Sequence, residues 1–351
     1  MKTANEEILD RQIHHAIEIE RFKTGTVRKM YALMQRAETD LINKLAARLV
    51  LIEDRGHDLG KASTARLDKL LKEVRDTRKA LFDALYIDLS GDVIAFAGDE
   101  VEFQAKLPET IIGASLGLSI PQGSALRTIV LSQPFQGRIL KEWAKGVSSA
   151  DINRITDRVK IGIVEGQTTD QIVRAIRGTK ARNYRDGVLL KSRRDIESVV
   201  RTSINHVANR AREQLWSAND NIIAGVQWVS TLDSKTSSIC YSRDGKIYAV
   251  NSGVRPPAHF NCRSIMVAYF AETIVGTRAS SIGAIPQKRS FQDWLKLQNI
   301  EVQEDVLGVR KAKLFRQGGL KLDRFVDRSG KELTLADMRS RNKDVYERIL
   351  G

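Results

Sequence analysis

Apolar positions near the start of the chain step by three and four. Val27, Met30, Met34, Ala37, Leu41, Leu45 and Leu49 fall on one face of a long helix, with polar residues between them. Gly56 and Gly60 supply a break, and Leu67, Leu70, Leu71, Val74, Leu81 and Leu85 repeat the pattern until Ser90 and Gly91 end it. Two amphipathic helices joined by a short polar loop predict an antiparallel hairpin, with Met30 and Met34 filling its core. From Leu107 to Gly146 the punctuation by Pro108, Gly113, Gly117, Pro121, Gly123, Pro134 and Gly137 predicts a loop-rich connection. Helix returns at a Ser149 cap, with Asp151 in the first turn and Ile152, Ile155, Val159 and Ile163 on one face. Thr168 and Gln171 make a capping box for a short helix, Asp170 to Arg177, which Gly178 stops. Asn183, Tyr184 and Gly187 then mark a loop before the next helix begins near Ser192.

From Arg201 the signals come closer together. Ile204, Val207, Ala208, Ala211 and Leu215 share a helix face, and Val226 and Trp228 alternate with polar residues as in a half-buried strand. Asp244-Gly245 is a turn signal that closes onto Ile247 and Tyr248. Pro256-Pro257 forces an extended approach to a second apolar run, 265–268. The pattern predicts an α+β, predominantly α-helical chain: long N-terminal helices, a basic helical segment and a small antiparallel β-sheet unit. Its expected divisions are a helical region at 1–107, a Gly/Pro linker with a helical lead-in at 108–148, and the basic helical segment at 149–216. The sheet unit at 217–277 and a basic C-terminal extension at 278–351 follow.

The order Arg201-Thr202 with Asn205 and Ala208 a turn further on, then Trp228, Asp233, Cys240, Asp244-Gly245 and Pro256-Pro257-x-His259-x-x-Cys262-Arg263, resembles the phage Mu F-like family, the phage head morphogenesis or minor head proteins. Six ordered pieces within about seventy residues carry the resemblance. It covers roughly 134–340, the central block specifically and the flanks loosely, while 1–133 share only a helical character. The resemblance implies a phage or prophage minor head protein, made in the host cytoplasm and held in the capsid interior of the virion. Its partners would be the portal protein, viral capsid proteins and double-stranded DNA, and its role head assembly with genome packaging or delivery. The alternative of another class is a non-sequence-specific DNA-binding or ejected internal virion protein, and a zinc- or thiol-dependent enzyme comes third.

Charge sharpens the choice of partner. The net charge is +14, yet residues 1–137 hold 19 Lys and Arg against 20 Asp and Glu, so the basicity belongs to the rest. Between Arg174 and Arg201 there are nine basic residues (Arg174, Arg177, Lys180, Arg182, Arg185, Lys191, Arg193, Arg194, Arg201) against Asp186, Asp195 and Glu197. Such a concentration favours a polyanion, nucleic acid first, and makes the first eight of these the candidate DNA contacts. A solvated helix face is the bland alternative. No apolar run reaches the ~18 to 20 residues of a membrane helix, and no signal peptide opens the chain, so no membrane partner is expected.

Chemistry is sparse. No GxxxxGK[ST], no HExxH and no carboxylate pair with acid/base spacing occurs, so an enzyme is not expected. Cys240, His259 and Cys262 are the one constellation that invites a metal, since thiolate and imidazole suit zinc. Three ligands are one short of a closed site. The resemblance adds that some family members carry further cysteines where this chain has Ser237 and Ser264. No metal and no cofactor are therefore expected, with zinc as the alternative to three side chains that pack and hydrogen-bond inside a small core. A rival catalytic reading has Cys240 activated by His259 and oriented by Asp233 or Asp244. Arg201 and Arg263 are expected to clamp carbonyls or carboxylates such as Asp233, and Asn205, Trp228, Gly245 and Pro257 to serve the fold. His14 and His15 read as solvated on a helix start.

Overall fold

The computed structural model describes residues 4–53, 61–112, 115–221, 223, 225–269, 277–280, 283–286, 290–327 and 329–351. Helices α1 (Ala4–Glu53), α2 (Lys61–Ile112), α3 (Gly123–Ser132), α4 (Leu140–Val164), α5 (Thr169–Arg177) and α6 (Val188–Ser217) fill the first two thirds. Strand β1 (Gly225–Val229), helix α7 (Ser238–Tyr241) and strands β2 (Ile247–Tyr248) and β3 (Ile265–Tyr269) follow. The short pair β4 (Thr277–Ser280) and β5 (Gly283–Pro286) precedes five helices: α8 (Phe291–Lys296), α9 (Ile300–Leu307), α10 (Val309–Arg316), α11 (Leu335–Arg341) and α12 (Lys343–Leu350). The fold is thus predominantly α-helical α+β. No described helix is long and apolar enough to cross a membrane.

The chain divides into two compact units, and neither is continuous in sequence. One comprises 21–96 and 127–204. Here α1 and α2 run antiparallel, as Lys29 bonds Asp92 at 2.8 Å and Arg48 bonds Glu73 at 3.0 Å. Their stripes supply Leu41, Leu45, Leu49, Leu70 and Val74 to a core that Ile155, Val159, Ile172, Ile176 and Leu189 complete. Met30 and Met34 are fully buried, as the spacing predicts. Inside this unit the Arg78 guanidinium forks onto Asp151, Nε to Oδ2 at 2.6 Å and Nη2 to Oδ1 at 3.0 Å, with both side chains 0% exposed. Gly56 and Gly60, the expected break, lie outside the described residues.

Three local expectations are corrected. Ser90-Gly91 does not end α2, which continues to Ile112. Leu89, Val93 and Phe96 extend its buried stripe, and each is worth ~1.5 to 3 kcal/mol, more than the ~1 kcal/mol a helical glycine costs. Helix α4 starts at Leu140 rather than after a Ser149 cap, because Glu142 reaches back to the Ile139 N–H at 3.0 Å and caps the helix ten residues earlier. The stretch read as a loop-rich connection therefore contains the end of α2, all of α3 and the first turns of α4.

The second unit comprises 1–20, 97–126 and 205–351. Its sheet has the order β2-β1-β3, all antiparallel, with Trp228 opposite Met266 and Val229 opposite Ile265. Alternation gives each face its own core. Val226, Trp228 and Met266 pack with Trp216, Val250, Cys240 and Cys262 on one side, and Val229, Ile265 and Val267 meet Ile13 on the other. The C-terminal helices form a third cluster, with Phe291, Trp294, Leu314, Phe325 and Met338 around Leu232 and Tyr241. The C-terminal extension thus shares its packed core with Leu232 and Tyr241 of the sheet unit.

Candidate functional site

Most of the motif residues build the β-sheet unit. Strand β3 is an edge strand, so its outward backbone groups need partners. Helix α6 supplies them: Asn205 Nδ2 donates to the Ser264 carbonyl at 3.2 Å, the Met266 N–H donates to Asn209 Oδ1 at 2.9 Å, and Arg212 Nη1 donates to the Met266 carbonyl at 3.2 Å. Arg212 also donates through Nε to Glu100 Oε1 at 2.6 Å, and Glu100 Oε2 lies 2.7 Å from His15 Nε2, with Arg212 and Glu100 both 0% exposed. Burial alone would push the Glu100 carboxyl up, but the Arg212 charge and the His15 and Arg212 hydrogen bonds outweigh it and hold it at about 2. His15, expected in solvent, is instead stacked on Phe103 at 3.7 Å, while His14 is exposed. Asn209, Arg212 and Glu100 were not anticipated from the sequence. The spacing of Asn205, Asn209 and Arg212, four and three apart on the helix that carries Ile204 and Ala208, is the signal that points to the first two additions.

Arg263 makes the expected clamp. Its Nη1 and Nη2 donate to Asp233 Oδ2 and Oδ1 at 2.6 and 2.7 Å, and this pairing outweighs burial to hold the Asp233 carboxyl below its usual range. Arg201 holds a carboxylate too: its Nε donates to Glu197 at 2.8 Å, one turn back on α6. Asp244 accepts the Ser230 N–H at 2.8 Å and the Phe291 N–H at 2.9 Å, joining the end of β1 to the start of α8. The Gly245 N–H donates to the Trp228 carbonyl at 2.9 Å, where a φ of +77° suits glycine. Trp228 is 0% exposed and donates through Nε1 to Ser230 Oγ at 3.1 Å, and Pro256-Pro257 is a cis peptide bond.

Beside this framework the structure brings Cys240, His259 and Cys262 together. The two sulfurs lie 3.7 Å apart, Cys240 Sγ is 3.3 Å from His259 Nε2, and all three donor atoms lie within 4.8 Å of one another. His259 Nδ1 donates to the Phe260 carbonyl at 2.7 Å, so in the neutral ring Nε2 carries the lone pair and faces Ser237 Oγ at 2.7 Å. The Cys240 hydrogen bond pulls the Cys262 thiol down to about 4 against its burial, with His259 adding to the effect, while the same contact pushes Cys240 up. The acids proposed to orient His259 are placed elsewhere: Asp233 is held by Arg263, and Asp244 binds backbone N–H groups.

The candidate DNA contacts, within residues 174–201, lie wholly in the first unit described, and part of this stretch is a shaped loop. Gly178 has φ +94°, and a Cβ on Gly187 would meet the Arg177 backbone at 2.3 Å, so the loop closes tightly on its own base. The Asp186 carboxylate accepts the Thr179 N–H and hydroxyl, each at 2.7 Å, and these bonds hold it below its usual range. Residues 180–182 form a single 3₁₀ turn, and α6 follows from Val188, four residues before the expected start. Arg174, Arg177, Lys180, Arg182, Arg185, Lys191 and Arg194 are exposed, whereas Arg193 and Arg201 are half-buried. Arg174 pairs with Asp170, Lys191 with Asp195 at 2.8 Å, and Arg193 with the buried Glu38, while Arg177 lies over the Tyr184 ring at 4.7 Å. Lys180, Arg182, Arg185 and Arg194 form no ion pair among the described residues, although the Arg182 charge acts on Asp186.

Residues 153–267 match the family described as Phage Mu protein F like protein. The matched segment begins in α4, contains all of residues 174–201, and ends in β3. No curated protein and no solved structure matches the chain.

Proposed function

We propose, from a chain whose residues 153–267 form a Phage Mu protein F like domain, a minor head protein that sits inside the capsid beside the portal and touches packaged DNA. The family points to phage head morphogenesis, and the observation that supports the finer reading is the loop at 178–187. Lys180, Arg182 and Arg185 project from a backbone fixed by Gly178, Gly187 and Asp186, and Arg194 lies on the helix that follows. Cations on a preformed loop lose little freedom when they meet phosphates, and they read no bases. The contact is accordingly to DNA of any sequence and is sensitive to salt.

The framework around Asp233, Arg263, Asn205 and Trp228 has a structural part in this reading: it fixes β3 and the turn at Asp244-Gly245 so that the unit keeps one shape. Deleting the coding segment from the phage tests the function. Lysates should then contain few DNA-filled heads, and a supplied copy should restore them. Normal numbers of filled and infectious particles would contradict the proposal, and filled but non-infectious particles would move the role to genome delivery by an ejected protein.

A further inference from the structure

Four side chains, the buried Cys240 and Cys262 and the half-buried Ser237 and His259, meet at one point of the β-sheet unit. Cys240 comes from α7, His259 and Cys262 from the approach to β3, and Ser237 from the residue before α7. We propose that Cys240, His259 and Cys262 bind one divalent cation of the zinc class, with Ser237 at the fourth corner.

The distances carry the inference. A tetrahedral zinc ion, ~2.3 Å from sulfur and ~2.0 to 2.1 Å from nitrogen, sets its ligand atoms about 3.5 to 3.8 Å apart. The observed Sγ to Sγ separation is 3.7 Å, and Cys240 Sγ lies 3.3 Å from His259 Nε2. Two thiols and an imidazole at these separations need only small shifts to share an ion. The surroundings match those of a ligating histidine, because the Nδ1 donation to the Phe260 carbonyl fixes the ring and leaves Nε2 as the ligand atom. Two sulfurs and one nitrogen select a borderline-soft ion over magnesium or calcium. Ser237 Oγ hydrogen-bonds Nε2 at 2.7 Å, closer than two ligand atoms of one ion, so when the ion takes the Nε2 lone pair the hydroxyl shifts outward by about half an ångström, to the corner that it or a water completes. The ion would staple α7 to the segment before β3, across a sequence separation of 22 residues. This departs from the expectation drawn from Ser237 and Ser264, because three ligands converge without a fourth cysteine.

The test uses the full chain, stripped with chelator under reducing conditions, with both cysteines confirmed as thiols by titration after unfolding. Cobalt(II) is the probe. One cobalt per chain with the absorption of a tetrahedral thiolate complex, displaced by zinc(II), is expected, and zinc should raise the melting temperature. Cys262→Ser and His259→Gln should each weaken binding at least about ten-fold, while Ser237→Cys should tighten it by a similar factor. A fully reduced wild-type chain that gives no such spectrum overturns the proposal whether or not any variant folds. A spectrum that survives unchanged in Cys262→Ser overturns it as well, and no gain from Ser237→Cys removes Ser237 from the site.

Discussion

Replacing Arg182, Arg185 and Arg194 together with Gln removes three exposed cations that form no ion pair among the described residues. Each phosphate contact contributes ~0.9 to the slope of log K against log[salt], so the slope should flatten by about 2.7 units. Arg193 belongs in a separate variant. Its guanidinium is engaged by the buried Glu38, so Arg193→Gln should scarcely move the slope. It should instead lower stability, because Glu38 loses its partner where little water replaces it. Fluorescence anisotropy of a labelled duplex, titrated at several salt concentrations, measures both slopes. A second duplex of unrelated sequence should bind equally, since no base edge is read. If the triple variant keeps the wild-type slope, the loop does not hold phosphates and the DNA assignment fails. If Arg193→Gln alone flattens the slope, the division of the segment into paired and available cations is wrong.

Trp228→Ala should cost ~3 to 5 kcal/mol in denaturant unfolding, since the side chain is 0% exposed against Met266, Cys240 and Cys262; an unchanged midpoint would contradict its place in the core. Glu100 carries a pH dependence: its folded carboxyl titrates at about 2, below the ordinary value of 4.5, so its contribution is complete above pH 4.5 and disappears as the pH falls towards 2. That contribution is about 3 kcal/mol. Urea unfolding between pH 7 and 3 should show the loss in the wild type and a flatter curve in Glu100→Gln, which should already be less stable at pH 7. Parallel curves would place the acid sensitivity elsewhere.

Elements whose partners are local were legible in the sequence, and those whose partners lie far along the chain were not. The stripe through Met30, Met34, Leu41 and Leu45, the Thr168 capping box and the Trp228 strand each announce themselves within one short stretch of chain, and all three are present. The ends of helices were misread where a local breaker met a longer-range gain, as at Gly91. His15 looked solvated because its partner Glu100 is 85 residues away, and Arg193 looked available because Glu38 is 155 residues away. The basic composition of 174–201 was plain, but which charges are already neutralised depends on the fold. The convergence of Cys240, His259 and Cys262 was suspected from residue type, and only the turn through 255–263 decides that the three atoms meet.

Quantitative mass analysis of purified, DNA-filled heads treated with protease and nuclease decides whether this chain is an internal head protein. The account predicts that it is present intact, at a fixed copy number near that of the portal and far below that of the major capsid protein, and that gentle disruption releases it with the portal or the DNA. Heads that lack the chain, or that lose it to protease before they are opened, would contradict the account.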